Sequence, residues 1–126
     1  MIYKMRLTLF VLVLGLGLNA AALAQNYVVF NGGITAAERA AAPKEGTKLS
    51  FFVQAGNYLA NVSVVVRNEA GNEVVNTVAE GPWLILNLPN GTYRVDATIS
   101  SGETQSVTIN VDGGNREVGF MFKSVQ

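Results

Sequence analysis

The feature that most constrains this chain is a strict alternation of apolar and polar side chains, which is clearest over residues 92–99. Tyr93, Val95, Ala97 and Ile99 occupy one set of alternate positions, and threonine, arginine and aspartate fill the other set. Successive side chains of a strand point to opposite faces of a sheet, so this spacing predicts a half-buried strand. Similar alternation or an unbroken apolar run predicts six further strands: Thr47–Val53, Val62–Arg67, Glu73–Val78, Trp83–Asn87, Thr104–Val111 and Arg116–Phe122.

These seven segments are separated by short turns rather than by helices. Polar and glycine-containing stretches such as Asn68–Asn72 and Pro89–Gly91 are typical turn sequences. A parallel α/β fold would need a crossover helix between strands, and no segment between the predicted strands has the pattern of one. We therefore predict an all-β, seven-stranded antiparallel sandwich of the Ig-like type.

The first residues have the pattern of an export signal. Two cations among the first six residues precede an uncharged apolar run over residues 7–18, which is shorter than the roughly 20 residues of a membrane-spanning helix. The small-x-small sequence Ala22–Ala24 follows. We predict a signal peptide over residues 1–24, cleaved before Gln25, which places the mature protein in the bacterial periplasm or outside the cell, without a membrane span.

Residues 25–46 form a predicted extension in front of the sandwich. Tyr27–Phe30 has the composition of a short strand. Thr35 and, three residues later, Glu38 match a capping box, the next residues are rich in alanine, and Pro43 disfavours continuation. The extension is therefore predicted to contain one short helix of about two turns.

Composition excludes most catalytic and cofactor chemistry. The chain has neither histidine nor cysteine. Histidine general bases, thiol nucleophiles, disulfides and metal sites built on these two residues are therefore excluded, and we predict no cofactor and no metal. Nine cations and nine anions cancel, so the sequence has no electrostatic basis for nucleic-acid binding.

One turn and the strand after it resemble a known family. The sequence Leu-Pro-Asn-Gly-Thr-Tyr-Arg-Val at Leu88–Val95 is similar to the Leu-Pro-x-Gly-x-Tyr-x-Val segment of carboxypeptidase regulatory-like domains, which are transthyretin-like or prealbumin-like sandwiches. Val62–Val66 and the turn at Asn68–Asn72 resemble an earlier strand and turn of that family, and Val118–Phe122 resembles its closing strand. The resemblance covers roughly residues 47–122.

The resemblance implies a binding or accessory domain rather than an enzyme. It assigns residues 47–126 to a carboxypeptidase regulatory-like sandwich, a family whose members are attached to peptidases, outer-membrane receptors and surface proteins. The extension, with its Glu38–Ala40 segment, resembles the N-terminal part of small exported bacterial proteins. A function specific to this subgroup is therefore expected in the extension. The motif itself predicts that Tyr93 turns its ring inward and its hydroxyl towards a backbone partner.

Four residues are candidate contacts for a partner or ligand. Trp83 follows Gly81–Pro82 and is either part of the core or an aromatic platform for a sugar ring, while Tyr58 lies in a loop and is either an anchor or a ligand contact. Glu38 and Arg39 of the short helix are either solvated charges or contacts for a partner peptide.

Two functional classes follow from these residues. We expect a non-enzymatic protein–protein interaction module of the periplasm or cell envelope, which docks through a sheet face, an edge strand such as Tyr27–Phe30, or the extension. The alternative is a carbohydrate-binding module that uses Trp83 or Tyr58. A carboxylate pair such as Glu80 and Asp96 would be needed for glycoside hydrolysis, but the sequence offers no reason for either pKa to shift.

Overall fold

Eight strands and one short helix make up the part of the chain that the computed structural model describes, residues 27–54 and 56–123. The predicted signal peptide and its cleavage site lie outside these residues. In chain order the elements are β1 (Val28–Gly32), α1 (Ala36–Ala41), β2 (Thr47–Val53), β3 (Val62–Asn68), β4 (Glu73–Ala79), β5 (Trp83–Leu86), β6 (Gly91–Thr98), β7 (Thr104–Val111) and β8 (Arg116–Phe122).

The strands form two four-stranded sheets that share one hydrophobic core. Sheet A has the order β1-β5-β2-β8, and sheet B has the order β4-β3-β6-β7. The prediction of an all-β fold with two sheets is confirmed. The apolar run of β5 occupies an interior position of sheet A, between β1 and β2, where both of its faces can be covered.

The predicted count of seven strands is wrong, because the described residues contain eight. The additional strand is β1, which pairs antiparallel with β5 so that Phe30 lies opposite Ile85 and Gly32 lies opposite Trp83. The register shifts between Val28 and Phe30. Because β1 is short and its apolar residues do not alternate clearly, the strand is defined by its pairing with a segment about fifty residues away in the chain rather than by its own periodicity.

The prediction of purely antiparallel pairing also needs correction. β2 and β8 pair in parallel, from Thr47 opposite Arg116 to Val53 opposite Phe122, while all other strand pairs are antiparallel among the described residues. Side-chain alternation has the same period in both kinds of sheet. The chain passes from β7 in sheet B to β8 in sheet A, and this connection sets the direction of β8. No local sequence pattern predicts that direction.

Almost no helix is present in the described residues. α1 has six residues, and none of them is buried. The side chain of Thr35 at the N-cap accepts a hydrogen bond from the Glu38 backbone N–H at 3.1 Å, and Ala42, before Pro43, is extended. A helix this short with no buried face depends on contacts outside itself for its stability.

Alternate side chains of both sheets form the core. The most deeply buried aromatic pair is Phe51 of β2 and Phe120 of β8, whose ring centroids are 5.4 Å apart in a stacked arrangement. Sheet B contributes valines of β3 and β6 to the same buried cluster, including Val64, Val66 and Val95, which are fully buried. The predicted alternation therefore places the apolar set of each strand in the space between the sheets.

Tyr93 joins the turn before β6 to this core. Its ring is buried, and its hydroxyl donates a hydrogen bond to the Pro89 carbonyl oxygen at 2.7 Å. Burial, with a smaller contribution from Tyr27, raises the pKa of Tyr93 above its usual value. The phenol therefore remains protonated and keeps its donor at neutral pH, in agreement with the expected inward ring and backbone partner.

The outer face of sheet B carries a network of charges centred on Asp96. The carboxylate of Asp96 lies 3.1 Å from the guanidinium nitrogens of both Arg67 and Arg94, and it accepts a hydrogen bond from the Ser106 hydroxyl. The Ser106 hydrogen bond, followed by the two arginines, lowers the pKa of Asp96. Asp96 is therefore ionised at neutral pH and held by residues on three strands.

We predict that Phe120→Ala destabilises the protein by about 3–5 kcal/mol, because the substitution leaves a cavity against Phe51. Urea unfolding followed by circular dichroism measures this loss. The neighbouring Met121 is half exposed, so Met121→Ala is the matched control and is expected to cost less than about 1 kcal/mol. Equal losses for the two variants would contradict the assignment of Phe120 to the core.

The charge network predicts a pH-dependent contribution to stability. Since the pKa of Asp96 is lower in the folded chain, its ionised form contributes stability above the ordinary Asp pKa of about 3.9, and this contribution is lost as the pH falls through the lowered value. Urea midpoints should therefore be higher for the wild type than for Asp96→Asn at pH 7 and should converge towards pH 2. Asp112→Asn, at an exposed loop position, serves as the control and should show little difference at either pH.

Candidate functional site

The four candidate residues lie on and around the outer face of sheet A. Trp83 begins β5, with its side chain on the face opposite the core residue Leu84. The guanidinium carbon of Arg39 lies 5.4 Å from the ring centroid of Tyr58. Arg39 and Trp83 line the same cleft. The structure thus brings together residues that are widely separated in the sequence.

Glu38 and Arg39 hold α1 against the end of β1. The Glu38 carboxylate accepts hydrogen bonds from the backbone N–H groups of Gly33 and Ile34 at 3.0 and 3.1 Å. The Arg39 guanidinium donates to the carbonyl oxygens of the same two residues at 2.8 and 3.0 Å. Both charged groups therefore bind the Gly33–Ile34 backbone, and we call this set of four hydrogen bonds the Gly33 latch.

The latch requires glycine at position 33. Gly33 has a φ of +89°, a conformation that side chains with a Cβ rarely adopt. A Cβ at this position would also lie 3.3 Å from the Cβ and Cγ of Trp83 and 3.5 Å from the Cγ of Arg39. The Gly33 backbone therefore lies directly against the base of the tryptophan side chain, with the stem of Arg39 beside it.

Lys48 covers the ring of Trp83. Its ammonium nitrogen lies 3.8 Å from the ring centroid, and the same nitrogen lies 3.7 Å from a carboxylate oxygen of Glu117 on β8. A cation over an indole ring is attracted by the negative face of the π system. Each candidate aromatic thus carries a cation, Lys48 on Trp83 and Arg39 on Tyr58, and Tyr58 remains 56% exposed.

A cleft of about 440 Å³ lies between the extension and the outer face of sheet A. Trp83 and Ile85 of β5 line it from the sheet. The remaining lining residues come from the extension and from the start of β2 and β8: Arg39, Ala40, Ala42, Pro43, Lys44, Glu45, Gly46, Lys48, Asn115, Arg116 and Glu117. We refer to this depression as the extension cleft.

Backbone and side-chain bonds near Gly46 close one end of the extension cleft. The Asn115 amide oxygen accepts from the Gly46 N–H at 3.1 Å, and the Arg116 N–H donates to the Gly46 carbonyl at 3.1 Å. A Cβ on Gly46, whose φ is +102°, would lie 2.7 Å from the Leu86 carbonyl oxygen. This close approach joins three segments of the chain and positions Arg116 beside the extension.

Sequence reasoning identified Trp83 and Arg39 but missed the other charged residues of the cleft. Lys44, Lys48 and Arg116 lie in stretches whose local patterns indicate only a solvated loop, an outward strand position and a strand start. The parallel pairing of β2 with β8 places Lys48 opposite Glu117. Side-chain alternation does not distinguish parallel from antiparallel neighbours, so no local sequence signal predicts that Lys48 and Glu117 are adjacent.

Comparison of the sequence with models of known protein families and with curated proteins finds no match. The geometry defines an all-β, two-sheet protein with a cleft between its N-terminal extension and sheet A. Among residues 27–54 and 56–123, no cluster of acidic side chains is arranged to hold a metal ion. Over the same residues, no helix has the length and apolar character needed to cross a membrane.

The Gly33 latch predicts a specific effect of Glu38→Ala. Removing the carboxylate takes away the acceptor of two backbone N–H groups, so we expect amide exchange at Gly33 and Ile34 to accelerate by about fivefold, which corresponds to roughly 1 kcal/mol of local stability. Hydrogen exchange followed by NMR measures this change. Glu45→Ala removes an acid that also lines the cleft but does not belong to the latch, and it should leave both amides unaffected.

Proposed function

We propose that this chain is an exported, non-enzymatic interaction module that binds a protein partner in the bacterial periplasm or cell envelope. The proposal assigns residues 47–126 to a carboxypeptidase regulatory-like sandwich and residues 25–46 to an extension specific to this protein. The all-β, two-sheet architecture is consistent with that assignment. Export is supported by the leader sequence, whose apolar run is followed by Ala22–Ala24.

The observation that carries the proposal is the extension cleft. Its volume of about 440 Å³ lies within the range of roughly 300–1,000 Å³ that is typical of ligand sites. Trp83 lies within it, and tryptophan is among the residues most enriched at the energetic centres of protein interfaces. The extension forms one wall, so the segment that distinguishes this chain from a plain sandwich also contributes to the proposed binding surface.

Side chains already occupy some backbone groups at the edges of β4 and β8. The side chain of Asn31 on β1 donates to the Val78 carbonyl and accepts from the Glu80 N–H at the edge of β4. On the opposite side of the sandwich, the Gln105 side chain donates to the Met121 carbonyl of β8. These bonds occupy edge groups that an added strand would otherwise use. The Tyr27–Phe30 segment, expected to add to a sheet edge, is largely part of β1 within its own chain.

Neither of the two titratable groups with a shifted pKa has the shift of a glycosidase general acid. The pKa of Asp96 is lowered, which is opposite to the shift that a general acid of a glycosidase requires. The raised pKa of Tyr93 follows from its burial, and its hydroxyl is bonded to the Pro89 carbonyl. Both shifts therefore have structural causes away from the extension cleft.

A carbohydrate-binding role is the alternative, favoured by the presence of Trp83 and Tyr58 on one side of the molecule. Sugar rings stack on open aromatic faces. Here Lys48 covers Trp83 and Arg39 lies over Tyr58, so a sugar would first have to displace a cation from either ring. This geometry makes the protein-binding role the better supported of the two.

The proposed docking surface can be tested by site-specific cross-linking in the native bacterium. A photo-reactive p-benzoylphenylalanine in place of Ala40, which lines the cleft, is expected to form one discrete adduct with an envelope protein. The same group in place of Thr108, exposed on the outer face of sheet B, is the matched control and should not form that adduct. Gel shifts and mass spectrometry identify the products. The same adducts from both positions, or none from position 40, would contradict docking at the extension cleft.

A further inference from the structure

The charges of the described chain are distributed unevenly. Residues 27–123 contain seven Lys and Arg against nine Asp and Glu, so their net charge is −2. Four of the seven cations line the extension cleft, whereas only two of the nine acids do so, Glu45 and Glu117. The cleft is therefore locally positive by two charges, although the described residues together have a net charge of −2, an asymmetry that favours an anionic ligand at this one place.

Two of the four cations already interact with other groups of the protein, and two do not form an ion pair with a described residue. Lys48 lies on Trp83 and close to Glu117, and Arg39 belongs to the Gly33 latch. For Lys44 and Arg116, no carboxylate of the described residues lies within ion-pair distance. These two side chains come from different segments that meet at the cleft, so both are available to an incoming carboxylate.

We infer that the extension cleft binds an acidic peptide segment of the partner, with Asp or Glu carboxylates on Lys44 and Arg116, beside Trp83. This inference rests on the proposed function and specifies its ligand. Arginine presents a planar fork of donors that matches a carboxylate in a bidentate geometry, while lysine acts as a point charge. The cleft offers both kinds of cation.

Net charge and the proposed function favour a peptide over other polyanions. A long nucleic acid would extend beyond the cleft and meet a surface of the described residues, whose net charge of −2 repels it. An acidic polysaccharide presents the same carboxylates, so the choice of a peptide over it follows from the proposed protein partner. A short peptide needs only the two available cations, and it can place its remaining backbone in water.

The inference can be tested by fluorescence, because Trp83 is the only tryptophan of the chain and lines the cleft. The probes are capped eight-residue peptides of equal length that carry either Glu and Leu, Gln and Leu, or Lys and Leu, together with polygalacturonate. The Glu peptide should change the Trp83 emission saturably at about 20 °C. Its affinity should fall as the salt concentration is raised from about 20 to about 300 mM, because screening of the charges increases over this range. The Gln peptide should bind at least about tenfold more weakly, equivalent to roughly 1.4 kcal/mol.

Charge reversal locates the binding site. Arg116→Glu and Lys44→Glu are each expected to lower the affinity for the Glu peptide by about fivefold, because each removes an exposed ion pair and introduces a repulsive charge. Lys123→Glu, at the far end of β8, makes the same change in net charge away from the cleft and should have little effect. Equal weakening by all three variants, or binding of polygalacturonate but not of the Glu peptide, would overturn the inference.

Failure of this inference can be distinguished from failure of the proposed function. If the partner cross-links to position 40 but Arg116→Glu and Lys44→Glu leave that adduct unchanged, the cleft is a protein-binding surface whose ligand is not acidic. If no adduct forms at position 40 while the Glu peptide still binds in the fluorescence assay, the cleft is anion-binding and the proposed protein partner is wrong. Loss of both signals overturns both proposals.

Discussion

Burial of one face of β2 is the constraint on which the rest of the structure depends. β2 lies between β5 and β8 in sheet A and turns Leu49, Phe51 and Val53 into the core. Because side chains alternate along a strand, the residues between them must point to the other face. Lys48 directly precedes Leu49 and points to that other face as well, so its position over Trp83 is a consequence of burying its neighbour Leu49. One face of β2 therefore contributes to the core, and its other face contributes Lys48 to the proposed site.

The extension converts the outer face of sheet A from an ordinary solvated surface into a partly covered one. Ile85 lies on the outward side of β5, yet it is only 1% exposed. It is covered by the extension, since a Cβ at Gly46 would lie 3.4 Å from its Cγ2. A helix of six residues with no buried face could not maintain this arrangement alone. The pairing of β1 with β5, the Gly33 latch and the bonds at Gly46 together hold the extension in place.

Charge is used differently on the two outer faces. On sheet B, Asp96 is neutralised by Arg67 and Arg94, so that face presents a satisfied network with little reason to attract a charged partner. In the extension cleft, Lys44 and Arg116 have no such acid among the described residues. The described residues, which have a net charge of −2, therefore form a positive recess beside Trp83. The physical basis of the proposed recognition is this difference between paired and available cations.

Local sequence determined the strand content, the inward faces and the inward ring of Tyr93, because a period of two and a Pro-x-Gly turn are properties of neighbouring residues. It also pointed to Trp83 and Arg39 as residues of interest. Tertiary structure alone decided the place of β1 at the edge of sheet A, the parallel pairing of β2 with β8 and the meeting of Lys44, Lys48 and Arg116 around one cleft. Alternation is the same for parallel and antiparallel neighbours, and residues seventy positions apart share no local pattern, so only the packed chain brings these charges together.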